Sequence, residues 1–147
     1  MKNFYKDENG TIFDDQSDVN SNWVKMTEDE VSDFLLAQAK SAKLTEIKKC
    51  FSLEQENGHT TSSLGFEIDA TRTSKDDIES LLYVDMFPVR FRDYDNEFHD
   101  LTKEQAETLK KEIIAYGLAV YQKKWTLEEV LNNAVTSEDV EKVKWEN

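Results

Sequence analysis

One cysteine in 147 residues, Cys50, excludes an internal disulfide and leaves stability to the core, as in a reducing compartment. One proline and four glycines are too few for a disordered or low-complexity chain. Cationic side chains are also scarce. Lys and Arg number 18 against 31 Asp and Glu, and the net charge of −13 repels nucleic acid phosphates and anionic membrane surfaces. Neither nucleic acid nor membrane is therefore an expected partner. The excess is spread over the chain, −5 in residues 1–40 and −8 in residues 41–147, so no acidic tail stands apart. No apolar run approaches the roughly 18 residues of a membrane-spanning helix. The opening residues Met1–Glu8 lack the apolar stretch of a secretory signal. The chain is expected to stay in the cytoplasm where it is made, or to leave by cell lysis.

What is present is 38% hydrophobic and 11% aromatic composition, enough to build one domain, with or without a small terminal module. The first residues place Phe4, Tyr5, Ile12 and Phe13 on either side of Asn9-Gly10. That pattern predicts a β-hairpin with a type I′ turn, because both central positions of that turn need positive φ. After a polar connector, Asp14–Asn22, the run Trp23–Met26 supplies a third strand. Thr27 and Glu30 form a capping box, and a helix follows through Val31, Phe34, Leu44, Ile47, Cys50 and Phe51 to Asn57-Gly58. Its middle, Ala37–Lys43, has no apolar stripe and reads as a linker, frayed or kinked. This divides the chain into a β-module with the start of the linker helix, 1–40, and an α+β domain, 41–147.

In that second part Leu64–Asp69 alternates as a half-buried strand. Ser74–Asp77 caps a helix carrying Ile78, Leu81, Leu82 and Met86, which ends at Pro88. Val89–Arg92 and Glu97–His99 flank a turn and predict a second hairpin, which with the 64–69 strand makes a three-stranded antiparallel sheet. Thr102 and Gln105 cap a helix with Ala106, Leu109, Ile113, Gly117 and Val120 on one face. Trp125–Ala134 forms a further helix with Leu127, Val130, Leu131 and Ala134 inward, and a capped turn at Thr136–Asp139 leads to Val143 and Trp145. The expected class is α+β, with helices covering a small sheet.

Phosphate loops, strong zinc spacing and nucleophile elbows are absent. Asp93, Asp95, Glu97, His99 and Glu104 fall at positions 1, 3, 5, 7 and 12 of a calcium loop, but the sixth position is Phe98 where the sharp turn needs Gly. Asp and Asn are also preferred turn formers, which is the reading adopted. Cys50 with His59 or His99 would make a thiol–imidazole pair, yet Cys50 lies beside Ile47 and Phe51 and is expected to be a buried structural residue. Asp76-Asp77 and Glu128-Glu129 sit near helix starts, where negative charge is favoured without catalysis. No catalytic, cofactor or metal residues are therefore assigned. Phe4, Tyr5, Phe13 and Trp23 crowd a module of about 26 residues, too small to bury them all. Either these rings face a protein partner or they pack on one another and the first helix.

The run Val89–Thr102, the long helix after it, Lys124-Trp125, and the closing Ala134, Thr136, Glu138, Val140 and Trp145 resemble a domain of unknown function that recurs at the C-terminus of phage tail and tail-fibre assembly proteins. The resemblance covers about Leu44–Trp145. Phe4–Phe13 followed by Trp23–Glu30 resembles the opening of tail-fibre assembly proteins. The family implies a chaperone that helps a fibre protein fold or trimerise in the host cytoplasm, or that remains on the virion tail, and it implies no catalytic residues. The expectation is protein binding, not catalysis. A structural tail component retained in the virion and a small metal-dependent enzyme using Asp93–Glu104 are the alternatives, and self-association is left open.

Overall fold

The computed structural model describes residues 2–14 and 20–146, so the connector expected over Asp14–Asn22 lies largely outside the described residues. The N-terminal hairpin pairs β1 (Phe4–Lys6) with β2 (Ile12–Asp14), and β3 (Val24–Lys25) joins the other side of β1, giving the order β2-β1-β3. Its turn differs from the expected type I′. Gly10 has a φ of +80° while Asn9 does not enter the left-handed region. The Asp7 carboxylate accepts from the N–H groups of Asn9 and Thr11, each at 2.9 Å, and the Gly10 N–H donates to the Asp7 carbonyl. This side-chain acceptor stabilises a longer loop that needs one left-handed residue instead of two in succession.

Thr27 caps α1 (Glu28–Asn57) with the expected box: its hydroxyl accepts from the Glu30 N–H and the Glu30 carboxylate accepts from the Thr27 N–H. Lys6 pairs with Glu30, and Phe4 meets Phe34 edge-on at 5.5 Å, so the sheet is fastened to the first turns of this helix. The helix runs unbroken through Ala37–Lys43, where fraying or a kink was expected. Leu36, Ala39 and Leu44 pack against the apolar cluster of Ile47, Leu131, Ala134, Val140 and Val143, which supports the segment from outside its own sequence pattern. Gly58 ends the helix in an extended conformation, not the left-handed one. Its role is steric: a Cβ there would lie 2.6 Å from both the Glu54 carbonyl and the Tyr116 ring.

The strand expected over Leu64–Asp69 is shorter, β5 (Glu67–Asp69), and pairs with β4 (His59–Thr61), which sequence reading missed. Leu64 and Gly65 belong to the turn between them. β6 (Val89–Arg92) and β7 (Phe98–Leu101) form the second hairpin. The expected three-stranded sheet is therefore two separate hairpins. They touch where the Tyr94 N–H donates to the Glu67 carbonyl at 3.0 Å and Phe66 stacks on His99 at 3.9 Å.

Between the hairpins lies α2 (Arg72–Val84), capped by Thr71, whose hydroxyl accepts from the Ser74 N–H. The expected cap, Ser74, is already inside the first turn, and Met86 is exposed beyond the left-handed Asp85 that closes the helix. The helix expected through Val120 and the one expected from Trp125 are a single helix, α3 (Lys103–Asn133), followed by α4 (Ser137–Lys142) capped by Thr136. No glycine or proline interrupts residues 118–133. Lys124 sits over the Phe51 ring at 4.7 Å and Lys123 over the Trp145 ring at 4.3 Å, so two cations inside the apolar stripe are accommodated by aromatic faces. Val130, expected inward, is exposed. The architecture is α+β, with α3 spanning two cores. One end packs with α1 and α4; the other, with α2 and the hairpins, buries Ile68, Ile78, Leu101, Leu109 and Ile113.

Candidate protein-binding site

Of the polar residues singled out in the sequence, Asp93 and His99 hold a turn. Asp93 is buried, its Oδ1 accepting from the Glu97 N–H at 2.9 Å and its Oδ2 meeting His99 Nε2 at 2.7 Å. The hydrogen bond from His99 holds the Asp93 carboxyl below the usual carboxylate range. Asn96, with φ +67°, takes the place that Gly10 has in the first hairpin, so Asp93–Glu97 repeats the loop built by Asp7–Thr11. The calcium-loop positions do not converge, and among the described residues no group of three or more His, Cys, Asp or Glu side chains is arranged to hold a metal ion.

His59 Nδ1 lies 2.8 Å from Glu67 Oε2, and the imidazole stacks on Tyr94 at 4.2 Å. The Thr61 hydroxyl, and after it His59, hold the Glu67 carboxyl low. Cys50 is half-buried, not buried as expected, and no hydrogen bond among the described residues joins it to either histidine. Glu54 is a different kind of junction. It accepts from the Tyr116 hydroxyl at 3.3 Å, the Lys123 ammonium at 3.0 Å and the Trp145 indole N–H at 2.6 Å, joining α1, α3 and the segment after α4. Burial, then the Glu54 charge, pushes the Tyr116 phenol up.

Two apolar surfaces remain. In the N-terminal sheet Phe13 stacks flat on Trp23, centroids 4.1 Å apart, while Phe4 leans on Phe34; Phe4, Tyr5, Phe13 and Trp23 are all half-buried. The order β2-β1-β3 leaves the outer edge of β3 without a strand partner among the described residues. Open edges beside half-covered rings are features that strand-adding partners use.

The second surface was not recognised in the sequence. Along α3, Ile114, Leu118, Tyr121 and Trp125 are 45%, 51%, 40% and 54% exposed and form a ridge at successive turns. Ile114, Leu118 and Tyr121 also wall a groove of about 670 Å³ that opens toward the end of α1 and the start of α2, where Arg72 and Lys75 line it. The available signal was the spacing of four, three and four residues, a second stripe rotated by about 100° from the buried one. The buried stripe, Ala106 to Val120, dominated the reading of that helix. Exposed apolar side chains are ordinary singly; four in a row form a patch of the kind that contact surfaces use.

No curated protein and no solved structure matches the chain. A family model described as domain of unknown function DUF4376 matches residues 38–144, about three-quarters of the chain, leaving the N-terminal sheet outside the matched segment. The chain belongs to the DUF4376 family of domains of unknown function.

Proposed function

We propose that this protein binds a phage tail-fibre protein, as an assembly chaperone or fibre-associated accessory protein, through its N-terminal sheet. The observation that carries the reading is the half-exposed Phe13–Trp23 stack on a three-stranded sheet whose β3 edge has no strand partner among the described residues, placed outside the family-matched segment. A nascent fibre offers unpaired strands and uncovered apolar faces before it trimerises, and such a sheet can complement both. The resemblance of Phe4–Phe13 and Trp23–Glu30 to the opening of tail-fibre assembly proteins supports the same partner. The α+β body serves as the stable carrier of the sheet.

Co-expression with the fibre gene adjacent to its own tests the proposal. Soluble, trimeric fibre recovered only in the presence of this protein is the expected result. Phe13→Ser combined with Trp23→Ser should abolish recovery while the α-helical circular dichroism is kept. Absence of both binding and rescue would sink the reading.

A further inference from the structure

We infer that the ridge on α3 is the contact surface for a second copy of this chain, with the two α3 helices antiparallel about a two-fold axis beside Ala119 and Val120. This inference is independent of the fibre reading, since it concerns the purified chain alone. The spacing of Ile114, Leu118, Tyr121 and Trp125 is that of a seam along which two helices can interlock. In the antiparallel arrangement Ile114 faces the partner's Trp125 and Leu118 faces the partner's Tyr121, a large ring meeting an aliphatic side chain at every level. A two-fold axis makes each of these contacts occur twice.

Charge selects this orientation. Extended by one step at each end, the seam reaches Lys111 and Glu128, and the same register places Lys111 against the partner's Glu128. Lys111 is exposed and has no ion pair among the described residues, while Glu128 lies 3.7 Å from Lys124 within its own helix. A parallel arrangement would set Lys111 against Lys111 and Glu128 against Glu128. The shape of the surface agrees. The groove beside Ile114 opens where the partner's Trp125 arrives, and Gly117 leaves the α3 backbone bare at that wall, with open space where a side chain would stand.

The area sets the strength. Covering the ridge removes on the order of 400 Å² per copy, about half of the roughly 800 Å² per partner of a standard interface and in the range of weak, transient contacts. The dimer is accordingly reversible and concentration-dependent. Long-range repulsion between two copies of charge −13 is screened beyond about 8 Å at physiological salt, whereas the Lys111–Glu128 pairs act at contact distance.

Sedimentation equilibrium of the full chain at physiological salt is the test. A monomer–dimer equilibrium is expected, and Leu118→Glu should leave a monomer with unchanged far-UV circular dichroism. Trp125→Ser gives an equivalent readout should Leu118→Glu disturb the helix. Lys111→Glu should weaken the dimer on the order of tenfold, and adding Glu128→Lys to it should recover most of the loss. A chain that stays monomeric at every concentration, a dimer that survives both ridge variants, or a double reversal that recovers nothing would each overturn the inference.

Discussion

Asp7 and Asp93 occupy equivalent places in two hairpins that share no sequence beyond the turn itself. Each accepts main-chain N–H groups across its loop and forces a single left-handed residue, Gly10 in one case and Asn96 in the other. Asp93 adds a buried bond to His99, and the folded chain holds both Asp93 and Glu67 below their ordinary pKa. A carboxyl with a depressed folded pKa contributes stability above its unfolded value, and this is lost as the pH falls through the folded value. Unfolding by urea should therefore become easier below about pH 4, and Asp93→Asn should flatten that decline while lowering stability at neutral pH. An unchanged acid slope in the variant would exclude Asp93 as a contributor. At Gly58 the constraint is purely spatial. Gly58→Ala keeps an accessible backbone conformation but drives a methyl into the Tyr116 ring and the Glu54 carbonyl, and should cost about 1–3 kcal/mol by chemical denaturation.

Three helix starts were legible, because a cap is decided within four residues, whereas the start of α2 was read at Ser74 instead of Thr71 and the one expected at Trp125 lies inside α3. Thr27, Thr102 and Thr136 each accept from the N–H three positions on, as their sequences predict. Thr102→Ala should cost about 1 kcal/mol in urea denaturation, the usual value of such a cap, whereas Thr108→Ala on an interior turn should cost less. Elements that depend on distant partners were less legible. β4 (His59–Thr61) is polar, with no apolar alternation, and exists because β5 pairs with it. Ala37–Lys43 gains its helical order from the core at the far end of α3, and Lys123 and Lys124 disguised the continuity of α3 because their aromatic partners, Phe51 and Trp145, lie on other elements. The aromatic crowding of the N-terminal module could be read from the sequence, but not which rings stack. The α3 ridge needed the structure, since two apolar stripes on one helix become core and surface only when the other elements are in place.

The molecule is divided between a sheet at one end of α1 and a body whose two apolar clusters draw on residues from Leu36 onward. A chain beginning at Thr27 should consequently retain cooperative unfolding and its helical circular dichroism, and, on the function proposed above, lose binding to the fibre. Loss of cooperativity would mean that the sheet is integral to the body. At the other end, Glu54→Ala strands the Tyr116 hydroxyl, the Lys123 ammonium and the Trp145 indole at once. It should cost roughly 2–3 kcal/mol and shift tryptophan emission to the red as Trp145 is released, read by fluorescence-monitored urea titration. The 30 residues of α1 form a rod of about 45 Å without a glycine or proline inside it. A load applied to the sheet is transmitted along that rod as compression and torque, with no hinge to dissipate it. Whatever grips the sheet therefore also dictates the heading of the body behind it.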